Sequence, residues 1–147
     1  MQGERGDEGC IFCLATEPGD DEARVVLSRG ALCFAMLNAF LYNSGHLMVT
    51  PRRHVASLAD LDDDESLELM RLVQRALGAV RAAYRPDGFN IGVNEGKIAG
   101  AGFAGHVHVH VVPRWEADSN FMAVTANTRV LPQSLEDSFA ALRDTLG

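Results

Sequence analysis

No apolar run in this chain approaches the ~18 residues that a membrane-spanning helix needs. The opening segment, Met1 to Gly9, mixes both charge signs and lacks the apolar stretch of a signal peptide, so it reads as a flexible tail on a cytoplasmic protein. Cysteine is scarce, and three residues, an odd count, suit reduced thiols better than a disulfide framework. Positive charge is short as well. The formal net charge of −7 argues against sequence-independent nucleic-acid binding, which relies on Lys and Arg to neutralise phosphates. A small anionic ligand stays compatible with that charge, given a local pocket of cations and backbone N–H groups. Internal repeats and low-complexity blocks are absent too.

What is present has the balance of a soluble globular protein, 47% hydrophobic and 22% charged residues in a chain of 147. That length suits one domain with a real core, expected over residues 10–147. Arg24 to Ser28 and Ala31 to Leu37 read as two strands joined by a turn at Arg29 and Gly30, and His46 to Thr50 reads as a third, stopped by Pro51. From Asp62 to Tyr84 the period changes: Leu67, Met70, Val73, Gln74, Leu77, Val80 and Tyr84 recur at helical steps and predict one face of an amphipathic helix. Asp62 and Glu65 suggest a capping box at its start. Pro86 and Gly88 break it, Phe89 to Val93 follows as a strand, and Ser134 to Leu146 has the spacing of a short helix. Residues 116–132 look irregular. The order predicts an α+β fold with a mostly antiparallel sheet.

His106 to Val112 alternates throughout and is expected to be a strand, with Val107, Val109 and Val111 on one face and His106, His108 and His110 on the other. Three imidazoles on one face are costly to bury without partners, so that face is expected to line a site. Geometry disfavours one metal held by all three. Same-face neighbours on a strand sit ~6.6 Å apart and the outer pair ~13 Å, whereas ligands ~2 Å from one metal lie within ~4 Å of each other. The loop ahead, Gly100 to Gly105, could aim backbone N–H groups at a phosphate. Cys10 and Cys13 have the spacing of a metal knuckle, which on its own fits zinc, redox chemistry or two buried thiols. Cys33 is expected to pack in the core.

The run His106-Val-His-Val-His-Val-Val112, followed by Pro113 and Arg114, resembles the signature of the histidine-triad (HIT) family, in which His-x-His-x-His precedes two apolar residues. The likeness extends to Gly45-His-Leu-Met-Val-Thr-Pro51, to Val93-Asn-Glu-Gly96 and to Arg114-Trp-Glu-Ala-Asp-Ser-Asn-Phe-Met122, and covers roughly Cys10 to Met122. The downstream segment is most similar to the branch that includes bacterial diadenosine tetraphosphate phosphorylases. The resemblance implies a HIT-like fold: a homodimer, each subunit giving an antiparallel sheet of about five strands with one long helix and one short C-terminal helix. It implies a nucleotide hydrolase or nucleotidyltransferase cleaving at a nucleoside α-phosphate through a covalent nucleotidyl-histidine. A dinucleoside polyphosphate such as diadenosine tetraphosphate, or a related adenylyl compound, would be the substrate.

Carried over by position, His108 would attack the α-phosphorus and His110 would contact the phosphate. Asn38 would sit near the ribose, Asn94 near the phosphates, and His46 behind the triad. Gly102 belongs to the substrate-binding loop at a position where many members carry a Gln that helps hold the phosphate or leaving group. Members with an early Cys-x-x-Cys and a His after the Pro of the third strand use them with the first triad His to bind structural zinc. The matching set here is Cys10, Cys13, His54 and His106, with no organic cofactor and no nucleic-acid or membrane partner implied. Two other classes stay open: a non-catalytic nucleotide-binding or signalling module, and a metal-dependent hydrolase that uses the triad as ligands.

Overall fold

In the computed structural model, which describes residues 9–17, 19–39, 45–116 and 134–146, the β-rich first third of the chain folds as a meander. Strands β1 (Val26–Arg29), β2 (Cys33–Leu37) and β3 (Leu47–Pro51) lie side by side, and β4 (Gly88–Val93) and β5 (Val109–Arg114) complete a sheet of order β1-β2-β3-β5-β4. Every neighbouring pair is antiparallel, as the α+β reading expects. Three α-helices accompany the sheet among the described residues: α1 (Ile11–Thr16), α2 (Asp63–Tyr84) and α3 (Leu135–Leu146). The expected tail and the expected irregular stretch over 116–132 fall almost wholly outside the described residues.

Helix α2 starts where its sequence says it should. The Asp62 carboxylate accepts from the Glu65 N–H at 2.8 Å and the Glu65 carboxylate accepts from the Asp62 N–H at 3.0 Å, so two orphan donors are satisfied reciprocally. It ends at Arg85, which takes the left-handed conformation (φ 49°) just ahead of Pro86. The buried face bears out part of the expected one, since Val73 and Val80 are buried and Leu77 and Tyr84 pack against the core, and corrects the rest. Leu69, Leu72, Val73, Ala76, Ala79 and Val80 face the core, whereas Leu67 and Met70 are each 56% exposed and Gln74 is exposed as well. Large side chains dominate a periodicity count, which passes over the buried Ala76 and Ala79.

Register then sorts the strands. Ala35 pairs with Val49 and Val49 with Val109, while Met36 pairs with Met48 and Met48 with His110. Side chains directly opposite in antiparallel strands share a face, so the Ala35–Val49–Val109 row lies on one side and the Met36–Met48–His110 row on the other. The first row faces α2, because the thiol of Cys33, two residues before Ala35, donates to the Glu65 carbonyl at 3.7 Å. Cys33 is thus buried in the core as expected, and burial beside Glu68 and Glu65 pushes its thiol up to about 12. Helix α3 packs across α2 and β1. No helix among the described residues is long and apolar enough to cross a membrane.

Candidate functional site

The strand expected over His106 to Val112 begins later, at Val109. Val109, Val111 and Pro113 are buried while His110 and Val112 are partly exposed, so the alternation holds from Val109 onward. The preceding His106-Val-His108 is held by other means: the Val107 N–H donates to the Val55 carbonyl at 2.7 Å, and the Thr50 hydroxyl donates to the Val107 carbonyl at 2.9 Å. The stretch therefore leaves the ladder without losing its backbone hydrogen bonds, and His106, Val107 and His108 are all buried rather than alternating. As a result the triad is divided between two clusters.

The first cluster holds His108, His110 and His46. The Nδ1–H of His108 donates to the carbonyl of His106 at 2.9 Å, which makes Nε2 the lone-pair nitrogen. The His110 ring stands nearly edge-on to it, centroids 4.8 Å apart and planes at 70°. His46 Nε2 lies 3.0 Å from His110 Nδ1, and the side-chain nitrogen of Asn38 lies 3.4 Å from His46 Nδ1 and 3.3 Å from its Nε2. Gly45 makes this approach possible. It has φ 81°, and a Cβ there would come within 3.1 Å of Tyr84 and Pro113. Burial lowers the pKa of all three imidazoles, the neighbouring histidine charges adding to the effect at His46, which falls to about 4, and at His110. Neutral imidazoles near pH 7 follow, and a neutral imidazole is the nucleophilic form.

Asn94 is exposed just beyond Val93, whose pairing with Val109 carries it to the level of His108. Gly102 is exposed in the glycine loop with nothing within 4 Å of an added Cβ, so open space replaces any side-chain contact there. The same loop turns at Gly96 (φ 84°) and Gly100 (φ 94°) around a short 3₁₀ turn, Lys97–Ala99.

The second cluster joins Cys10, Cys13, His54 and His106, as the sequence led us to expect, with one ligand atom from each all within 4.8 Å of one another. The His106 Nδ1 lies 3.4 Å from Cys10 Sγ, 3.5 Å from Cys13 Sγ and 3.3 Å from His54 Nδ1, and Cys13 Sγ lies 3.2 Å from His54 Nδ1. Tetrahedral zinc with ordinary Zn–S and Zn–N bonds spaces such ligands about 3.3 to 3.8 Å apart. The donor set therefore fits a metal ion. The Nε2–H of His106 donates to the Pro51 carbonyl at 2.8 Å, leaving Nδ1 to face the cluster, an arrangement that typically orients a ligating histidine. Beside His54, Arg53 grips both carboxylate oxygens of Glu65 at 2.7 and 2.8 Å and so pins the link from β3 to α2.

Phe12 was not singled out from the sequence. It sits between the two cluster cysteines and is 1% exposed. Its ring lies 5.1 Å from that of His106 and 4.6 Å from that of His108. An apolar residue between two cysteines carries no signal of that contact, which depends on distant parts of the chain meeting.

Comparison with known proteins agrees with this geometry. A HIT domain matches residues 20–117. A Mycobacterium tuberculosis protein named AP-4-A phosphorylase is 49% identical over 118 residues, 80% of this chain but 60% of that protein, so the chain spans well under two thirds of that relative's length. The adenosine 5'-monophosphoramidase hnt1 of Schizosaccharomyces pombe is 33% identical over 71% of this chain and 74% of its own. Among solved structures, a Zn-bound histidine triad family protein from Mycobacterium smegmatis superposes with a TM-score of 0.73 at 26% identity, covering 95% of this chain and 94% of that one.

Proposed function

Because the chain belongs to the HIT domain family, we propose that it cleaves a dinucleoside polyphosphate, such as diadenosine tetraphosphate, at an α-phosphorus. The hydrogen bond from His108 Nδ1 to the His106 carbonyl carries this reading, because it leaves the lone pair on Nε2, the form a nucleophile needs. Nε2 bonds to the α-phosphorus as the phosphoanhydride P–O bond breaks and its electron pair leaves on the departing nucleoside polyphosphate. His110 contacts the phosphate. If His46 Nδ1 accepts from Asn38, its Nε2–H donates to His110 Nδ1, and the remaining His110 nitrogen carries a proton for the phosphate or leaving oxygen. The charge that builds on phosphorus is assigned to backbone N–H groups of the Gly100 to Gly105 loop and to the side chain of Asn94, which is exposed next to β4. Asn38 serves the ribose, and Gly102, with nothing within 4 Å of an added Cβ, puts no side chain of its own on the leaving group.

The second substrate is inorganic phosphate, a choice favoured by the similarity to a protein named AP-4-A phosphorylase. Phosphate attacks the nucleotidyl-histidine, releases a nucleoside diphosphate and restores His108. The test is product identification on diadenosine tetraphosphate with and without phosphate. ADP and ATP formed in a phosphate-dependent way support the reading, AMP formed in labelled water with uptake of the label would make water the acceptor, and tight binding without any product would make the chain a binding module.

The Cys10, Cys13, His54 and His106 set is assigned to structural zinc. Two thiolates and two imidazoles would make a closed set of four ligands with no position left for substrate, so the metal would serve to tie α1 to the stretch around His54 and His106. A triad that binds metal as a unit has less support, since of the three histidines His106 alone belongs to that cluster. Dimerisation is assigned to β4, which pairs with β5 along one edge and is half-buried to exposed along its length, with Ile91 49% exposed.

A further inference from the structure

Helix α1 is an element beside the site to which the phosphoryl chemistry gives no part. It is only six residues long, too short to be stable alone, and its place is set by what its side chains touch. Cys10 and Cys13 reach the metal cluster, while Phe12, between them, lies across the rings of His106 and His108 with planes tilted by 38° and 32°. The Phe12 ring also meets that of Phe103 of the glycine loop nearly at a right angle, centroids 6.0 Å apart and planes at 87°.

The hydrogen bond to the His106 carbonyl fixes the tautomer of His108 and restrains its ring from the Nδ1 side only, within a torsion that is broad for histidine. Phe12 adds a second restraint by covering one face of the imidazole, while His110 stands against it nearly edge-on. We propose that Phe12 is a positioning residue for His108, held in place by Cys10 and Cys13, so that metal binding at the cluster sets the aim of the nucleophile. The inference rests on the reading of His108 as the nucleophile and deepens it: the metal cluster and the phosphoryl site act as one unit, with Phe12 as the part they share.

The test uses the full chain loaded with zinc, and Phe12→Leu, which keeps apolar bulk but removes the flat face. Three quantities are read: bound zinc, the side-chain nitrogen and carbon NMR signals of His108, and kcat and KM on diadenosine tetraphosphate with phosphate. Phe12→Leu should keep its zinc and its fold, show a His108 ring with exchange-broadened or averaged signals, and lose about tenfold to a hundredfold in kcat with KM changed less than about threefold, as expected when orientation rather than binding is lost. Removing zinc from the wild-type chain should perturb the same His108 signals, and removing it from Phe12→Leu should add little. Should Phe12→Leu not fold, Phe12→Met carries the same test, since methionine fills irregular space. Wild-type His108 signals and kcat in the variant would overturn the proposal. If the wild-type chain turns over no dinucleotide, the functional reading fails, and the ring spectra alone still decide whether Phe12 and the metal orient His108.

Discussion

His106 and His108 use opposite ring nitrogens: His106 donates Nε2–H to the Pro51 carbonyl at 2.8 Å, and His108 donates Nδ1–H to the carbonyl of His106 itself at 2.9 Å. Carbonyls only accept, so the lone pair falls on Nδ1 of the first and on Nε2 of the second. Two residues with identical side chains thus present different ring nitrogens, Nδ1 of His106 toward the cysteine cluster and Nε2 of His108 as its lone-pair nitrogen, which is the basis of the separate roles proposed for them.

From that difference, His108→Ala should lower turnover by about three orders of magnitude or more while nucleotide binding and folding change little, because a covalent nucleophile acts mainly on the transition state. His108→Gly, which leaves a cavity for the missing ring, should accept a preformed nucleotidyl-imidazolide. Mass spectrometry of the trapped intermediate should place the nucleotidyl group on His108, and an adduct on His106 or His110 would overturn the assignment.

Protein prepared without chelators should contain about one zinc per chain, and Cys10→Ser should lower both zinc content and thermal stability, since metal binding to a folded site is folding free energy. A metal-free chain with the same melting temperature would mean that the cysteines simply pack. The chemical reason to expect loss is local: without the ion, two thiols and two imidazoles at 3.2 to 3.5 Å keep only weak mutual contacts.

Much of this arrangement was legible because it rests on residue types with few other uses. All five histidines of the chain fall in one of the two clusters, and the cap of α2 reads directly from Asp62 and Glu65. What escaped was set by distant contacts. Helix α1 is too short to show a period, so neither the element nor Phe12 stood out. The face of α2 is legible in Val73, Leu77, Val80 and Tyr84 but not at Ala76 and Ala79, because alanine adds little to a hydrophobic count. Strand β5 starts at Val109 rather than His106 because Val55 and Thr50 capture the backbone of Val107, which alternation cannot foresee.

Light scattering should give about twice the 15.9 kDa mass of the chain at micromolar concentration. An edge strand bearing a half-exposed isoleucine is a template for pairing with a second copy, and two β4 strands meeting about a two-fold axis would cover it. Ile91→Lys should then shift the mass toward the monomer, whereas a wild-type monomer would remove the case for β4 as an interface.

The last prediction concerns His46. Its pKa is lowered to about 4, first by burial and then by the charges of His110 and His108, against about 6.5 for an unfolded histidine. Between those values the unfolded chain binds the proton that the folded chain refuses, so stability is full above pH 6.5 and declines as pH falls toward 4. His108 and His110 are lowered by burial too and act with the same sign, whereas the carboxylates of Asp21 and Glu65, held below the usual carboxylate range by hydrogen bonds from Arg29 and Arg53, lose their contribution at lower pH. The histidine window can therefore be separated from general acid unfolding. His46→Gln, which can still hydrogen-bond to Asn38 and His110, should flatten the pH dependence of denaturant-measured stability between pH 6.5 and 4 relative to wild type. An unchanged slope would mean that His46 takes up its proton in the folded chain as readily as in the unfolded one, and the hydrogen bond to His110 would then be donated by a charged imidazole at acid pH.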